Sequence, residues 1–330
     1  GLSVAGEYKS IWGSALPAAS CVVEDNVLGL TVVSAKSAIE WTDATWNPVT
    51  GCSKVSQGCK NCYAEREWPR LQHLPAYAGR AFTDVRCHPD RLNEPLRWRR
   101  PRKIFVCHNA DLFHENVPDE FIDMVWFAMA RAQQHVFQIL TKRPARMLEW
   151  VSRCGLNAVR YGEREEAEVQ EKEMPWPLPN AWLGVSVEDQ ATADERIPLL
   201  LQTPAAVRWV SAEPLLAKVD VSQLLGDGQC DECDAGGPLA YWPMTDDVRV
   251  CGCGSTAIKE THGIDWLVAG GESGPKARPS HPDWFRSLRD QCQAAGVPLF
   301  FKQWGEWAPD APVSKYADST IKMDDGTYLR

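Results

Sequence analysis

Val136-Phe137-Gln138-Ile139-Leu140-Thr141-Lys142-Arg143-Pro144 is the stretch on which the fold turns. Five mostly apolar residues, the length of a buried parallel strand, end in a hydroxyl and two cations. Pro144 then supplies the fixed φ that suits a helix start. The same unit recurs along the chain. Ile104-Phe105-Val106 runs into Cys107, His108, Asn109 and Asp111, and Trp182 to Val185 runs into Ser186, Glu188 and Asp189. Val207 to Val210 runs into Ser211 and Glu213, and Trp266 to Ala269 into Gly270, Gly271, Glu272 and Ser273. Pro298 to Phe301 runs into Lys302, Gln303 and Trp304. Helical stripes lie between these runs. Asp119 to Arg131 has apolar residues at 121, 122, 125, 126 and 129 behind an acidic first turn. Gln190 to Gln202 and Pro282 to Ala295 read similarly, with Gly296 as a stop. The alternation predicts an α/β fold, a partial TIM-type (β/α) barrel rather than a doubly wound sheet, with a first strand over Trp46 to Thr50. In such a barrel the C-terminal strand ends form the active face, where the polar residues fall.

Composition agrees with a globular chain. Of 330 residues 44% are hydrophobic and 24% charged, which excludes disorder, collagen and coiled coil as the main architecture. No apolar stretch approaches the roughly 20 residues of a membrane helix. The net charge of -9 means that any nucleic-acid contact needs a local basic patch. Residues 1–36 lack both periodicity and the basic and apolar regions of a secretory signal, and read as a leader or cloning scar outside the fold. A cytoplasmic protein is expected. The barrel is assigned to 37–217 and 263–310, with an inserted module at 218–262 and a tail at 311–330. Residues 155–178, with six Glu between 163 and 173 and then Pro175, Pro177 and Pro179, read as a solvated acidic loop.

Twelve cysteines without a signal peptide point to metal rather than to disulfides. Cys52, Cys59 and Cys62 form C-x6-C-x2-C in a loop after the expected first strand. A closed zinc site takes four protein ligands, and here three are present. Either a distant residue such as Cys87 or Cys107 completes a structural site, or the fourth position stays open. A three-cysteine [4Fe–4S] cluster uses such an opening to bind the amino and carboxylate groups of S-adenosylmethionine (SAM). Cys230, Cys233, Cys251 and Cys253 form C-x2-C-x17-C-x-C and can close a tetrahedral site. Zinc in a ribbon-like module is the preferred reading there, with an auxiliary Fe–S cluster as the alternative.

The ordered motifs Ile39-Glu40-Trp41-Thr42-Asp43, Gly51-Cys52 through Gly58-Cys59-Lys60-Asn61-Cys62-Tyr63, Asp111-Leu112-Phe113-His114 and Leu140-Thr141-Lys142-Arg143-Pro144 resemble the phage-associated three-Cys-motif, radical-SAM-like family. So do Gly184-Val185-Ser186-Val187-Glu188, Glu213-Pro214-Leu215, Gly270-Gly271-Glu272-Ser273-Gly274 and Phe301-Lys302-Gln303-Trp304-Gly305. The resemblance covers about residues 37–310 apart from the insertions. It implies a radical SAM barrel with [4Fe–4S] on Cys52, Cys59 and Cys62, a distant similarity to spore photoproduct lyases, and a reductase such as flavodoxin or ferredoxin as electron donor. The loop departs from the usual C-x3-C-x2-C, and Asn61 stands where an aromatic residue usually precedes the third cysteine.

Around the rim, Lys142 and Arg143 suit a carboxylate or phosphate, or pair with acids of the chain. Glu213 can receive a ribose or the SAM ammonium, or pair with Lys142 or Lys302. Ser186 and Glu188 are further SAM or substrate candidates, the resemblance to radical SAM proteins implies a SAM contact for Glu272, and Gly270 and Gly271 allow close approach of a ligand. Arg97, Arg99, Arg100, Arg102 and Lys103, interleaved with Trp98, form the expected nucleic-acid footprint, joined by Lys302. Three functions compete: a radical SAM enzyme acting on DNA or RNA, for modification or lesion repair; a non-catalytic nucleic-acid-binding protein with structural metals; and an Fe–S redox sensor. Iron that responds to SAM separates the first from the others.

Overall fold

The computed structural model describes residues 39–161, 175–222 and 263–309, with Cys233 and short strand segments between 227 and 260 and at 321–322 and 328–329. Seven strands form one sheet: β1 (Ala44–Trp46), β2 (Lys103–Val106), β3 (Val136–Thr141), β4 (Ala181–Val187), β5 (Val207–Ala212), β6 (Trp266–Gly270) and β7 (Leu299–Gln303). Their order in the sheet is their order in the chain. A doubly wound sheet reverses direction at a switch point; this one never does, a half-barrel winding compatible with a partial (β/α) barrel. Among the described residues five α-helices accompany the strands: α1 (Tyr63–Leu71), α2 (Asp119–Arg131), α3 (Pro144–Tyr161), α4 (Gln190–Gln202) and α5 (Pro282–Ala295). Among the described residues no helix is long and apolar enough to cross a membrane.

By packing the described residues fall into two units, one within 39–55, 64–183 and 204–206, the other within 56–63, 184–203 and 207–329. In the first, β1 and β2 pair in parallel with Ala44 opposite Ile104, and β2 and β3 with Lys103 opposite Val136. Helix α2 buries Phe121, Ile122, Val125, Trp126 and Met129, the stripe expected from periodicity, and Asp119 and Glu120 complement its N-terminal dipole. Trp126 meets Trp150 of α3 at 4.7 Å between ring centres.

Two expectations in this unit need correction. The first strand ends at Trp46 and does not run on to Thr50, because Pro48 has no N–H to give a ladder. Val49–Thr50 instead pairs antiparallel with Arg86–Cys87. Helix α3 also continues to Tyr161, through the start of the segment read as a loop. In the sequence, Leu156, Ala158 and Val159 prolong the apolar spacing past Gly155. The acidic stretch 163–173 lies outside the described residues, as does the leader.

In the second unit β6 pairs in parallel with β5, Trp266 opposite Trp209, and with β7, Leu267 opposite Leu299. Helix α4 starts on a capping box, with Asp189 accepting from Thr192 N–H. Helix α5 starts at Pro282 and ends on Gly296 at φ +68°, the left-handed stop that glycine tolerates. Within the insertion, strands 227–230, 236–238 and 258–260 form a three-stranded antiparallel sheet.

Trp209 and Trp266 stack at 4.9 Å and 16°, and Trp209 is fully buried. The room for that stack comes from Gly184, where a Cβ would stand 2.5 Å from the Trp209 ring. We expect Gly184→Ala to destabilise the fold by about 1–3 kcal/mol through overpacking. Urea unfolding checks this; an unchanged midpoint would contradict it.

Candidate functional site

In the first unit the rim is organised around Asp111, which is 5% exposed. Its carboxylate accepts from Thr141 Oγ1 at 2.8 and 3.0 Å, from Lys142 N–H at 3.2 Å and from Phe113 N–H at 3.0 Å. It also pairs with Arg143 Nη1 at 3.2 Å. The Arg143 fork continues to Glu115 through Nε at 2.8 Å, to Ser53 Oγ through Nη2 at 2.8 Å, and to Cys52 Sγ through Nη1 at 3.8 Å. Burial alone would weaken the Arg143 charge, but Asp111 and Glu115 outweigh it and raise its pKa above the ordinary value. Burial of Glu115 acts upward on its carboxyl, yet the Arg143 hydrogen bond and charge bring it down to about 2. Arg143 therefore spends its donors on the chain itself and on the first thiol of the loop. Pairing with acids of the chain is one of the two readings that its place in the sequence allows.

The backbone at Cys52 is fixed from the other side. Gly51 sits at φ +89°, and a Cβ there would lie 2.5 Å from the Asp84 carbonyl oxygen. Cys52 N–H donates to the Phe82 carbonyl at 2.9 Å. Nearby, Thr50 Oγ1 bonds His88 Nε2 at 2.8 Å and accepts from Arg80 at 3.0 Å. Burial, with Arg91, Arg80 and Arg86 close by, drops His88 to about 2, and burial drops His108 to about 4.

In the second unit three rim glutamates each hold a cation. Glu188, 0% exposed, pairs with Arg196 at 3.2 Å and accepts from Ser56 Oγ. Glu272 receives both Arg278 Nη2 at 2.6 Å and Nε at 2.9 Å, and Asn61 Nδ2 at 3.0 Å. Burial pushes the Glu272 carboxyl up, but Arg278 and Asn61 bring it below the usual range. Glu213 pairs with Lys302 at 3.0 Å, one of the two partners anticipated, and accepts from Ser211 Oγ at 3.2 Å. Ser186 is buried and donates to the Glu213 carbonyl at 3.2 Å. The close approach that Gly270 and Gly271 permit is to the chain: a Cβ would meet Glu213 Oε1 at 2.4 Å and the Trp304 carbonyl oxygen at 1.8 Å respectively.

Cys52, Cys59 and Cys62 are half-buried and outside any disulfide. Cys59 Sγ lies 3.8 Å from Ser56 Oγ. Among the described residues no three or more His, Cys, Asp or Glu are grouped as a metal site. A guanidinium faces Cys52 Sγ in the first unit and a hydroxyl faces Cys59 Sγ in the second, the kinds of polar neighbour that thiolate ligands keep. Cys87 and Cys107 are buried, and burial pushes the Cys107 thiol up to about 12. In the inserted segment Cys233 is exposed, whereas Cys251 and Cys253 lie outside the described residues.

Arg97, Arg99, Arg100 and Lys103 are exposed, while Arg102 lies over Trp98, 5.0 Å from the ring centre. Trp98 itself is buried and unavailable for stacking on a base. The run leads into β2 at its N-terminal end, whereas Asp111 follows the C-terminal end of that strand. Sequence reading missed the two loop-side partners, Ser56 and Asn61. Small polar residues in a Gly-rich loop carry no signal of their own.

The profile of the family described as "Protein of unknown function (DUF5131)" matches residues 36–329, and the chain belongs to that family. No curated protein and no solved structure matches it.

Two outcomes follow from the first unit. Arg143→Met should cost about 3 kcal/mol by stranding the buried Asp111 carboxylate, and adding Asp111→Asn should recover part of that loss. A double-mutant cycle by urea unfolding measures it; strictly additive losses would contradict the pairing. His88 and His108 have folded pKa values below the ordinary 6.5, so the unfolded chain binds more protons as pH falls below 6.5. Stability should therefore drop from pH 7 to pH 5, with His88 alone contributing about 2 kcal/mol of the loss. A flat urea midpoint across that window would refute it.

Proposed function

We propose that this chain is a radical-SAM-like iron–sulfur enzyme acting on nucleic acid, in base modification or lesion repair. The observation that carries the reading is the loop of three half-buried thiols outside any disulfide, Cys52, Cys59 and Cys62, which follows the first strand of a sequentially wound parallel sheet. That sheet is read as the partial TIM-type barrel of the radical SAM kind, and the similarity to the three-Cys-motif proteins points the same way. A [4Fe–4S] cluster on these thiols would supply the electron that cleaves SAM reductively and begins hydrogen abstraction.

The chain's own residues have definable parts. Arg143 and Ser53 hold the Cys52 end of the loop. Glu213 and Lys302, with side chains 16% and 29% exposed, are the rim pair open enough to exchange partners with a zwitterionic ligand. The carboxylate can accept from an ammonium, and the lysine can donate to a carboxylate or phosphate. The exposed cations Arg97, Arg99, Arg100 and Lys103 are suited to phosphates of DNA or RNA, a contact that weakens as salt rises. A zinc ion on Cys230, Cys233, Cys251 and Cys253 would staple the inserted segment. A flavodoxin or ferredoxin is the electron donor that fits, in a cytoplasmic setting.

The second reading, a non-catalytic nucleic-acid-binding protein with zinc at both sites, is favoured by the position of the basic run. It leads into the N-terminal end of β2, away from the residues that follow the strand.

Metal analysis and EPR of the reduced protein under anaerobic conditions, before and after SAM, test the choice. We expect about four irons per chain at the loop and a signal that shifts with SAM and vanishes in Cys59→Ala. Zinc alone after iron–sulfur reconstitution would overturn the radical reading.

A further inference from the structure

Glu188 and Glu272 were expected to touch SAM, yet within the second unit both face the thiol loop. Glu188 accepts from Ser56 Oγ. It also leaves no space for a side chain at Gly58, where a Cβ would lie 2.3 Å from its carboxylate. Glu272 accepts from Asn61 Nδ2 at 3.0 Å, and the same amide donates to the Lys276 carbonyl at 2.9 Å. Arg278, doubly bonded to Glu272, donates in addition to the Gln57 carbonyl at 3.0 Å. Three of the seven residues from Ser56 to Cys62 thus bear on two carboxylates, each neutralised by its own arginine, and Gln57 bears on one of those arginines. Between those anchored points lie Cys59 and, immediately after Asn61, Cys62.

We infer that Glu188–Arg196 and Glu272–Arg278 are positioning pairs that hold Cys59 and Cys62 ready for a metal, through Ser56 and Asn61. A carboxylate that is almost wholly buried and already satisfied by a guanidinium has little to give a soluble cofactor. It is well suited to fix a neighbouring loop, because moving away would strand a charge. Holding ligands before the metal arrives lowers the ordering cost of binding, and partners behind the ligands commonly tune metal affinity by ten- to a hundredfold. The inference rests on the reading of this loop as a metal centre, but it does not require the metal to be iron.

The test uses zinc as the probe and the full chain. Zinc is titrated into the reduced protein, remaining thiols are alkylated with iodoacetamide, and Cys59 and Cys62 are followed on their separate tryptic peptides. The four cysteines of the inserted segment then do not obscure the result. Ser56→Ala with Asn61→Ala removes the loop side of both contacts while leaving each buried glutamate with its arginine. We expect the half-protecting zinc concentration to rise by about ten- to a hundredfold, with thermal unfolding of the metal-free protein unchanged. Ser56→Thr, which keeps the hydroxyl, should restore part of the loss when combined with Asn61→Ala. Protection equal to wild type in the double variant would overturn the inference and leave the iron–sulfur reading standing. Wild-type thiols that zinc never protects would overturn it as well. A wild type that holds zinc at the loop but takes up no iron or SAM would fail only the enzymatic reading.

Discussion

A buried carboxylate is tolerable when a cation neutralises it, and that requirement is met repeatedly at the strand ends of this protein. Asp111 has Arg143, Glu188 has Arg196, Glu213 has Lys302 and Glu272 has Arg278. Desolvating one such group without its partner is far more costly than the pair is stabilising. Each rim charge consequently dictates where another side chain must be, and loops attached to these pairs inherit their positions. Of these four pairs, Glu213 and Lys302 are the most exposed.

Arginine rather than lysine serves the three most buried pairs, for a geometric reason. A planar fork can bind a carboxylate and still present donors in other directions. Arg143 reaches Asp111, Glu115, Ser53 and the Cys52 sulfur, and Arg278 reaches Glu272 and the Gln57 carbonyl. An ammonium has three donors on a single nitrogen and cannot span acceptors as widely spaced as these. Glycines complete the fit where backbone or carboxylate must pass close by, as at Gly58 and Gly270.

Strands and helices were legible wherever a period met a stop. The α2 stripe, the Pro144 start and the Gly296 end follow from local chemistry, and the structure places them accordingly. Thr50 was misassigned because the β-branched pair Val49–Thr50 after Pro48 resembles a strand continuation, whereas the missing N–H diverts it to Arg86–Cys87. Rim residue types were readable as well, because polar side chains at strand ends stand out. Their partners were not. Ser56 and Glu188 are 132 positions apart, and Asn61 and Glu272 are 211 apart. Periodicity carries no information at that range. The expectation that these glutamates face a ligand came from their position on the rim, which is shared by residues that bind and residues that brace.

Those separations also have a meaning in time. Cys59 and Cys62 leave the ribosome long before Glu188, and longer still before Glu272. At about 5–20 residues per second, the second contact cannot form until about 10–40 s after Asn61 is made. During that interval the thiols are tethered to a growing chain without the partners that later hold them, open to oxidants and to whatever metal is at hand. For a protein of this design, the conditions around the nascent chain bear on which metal the loop first meets.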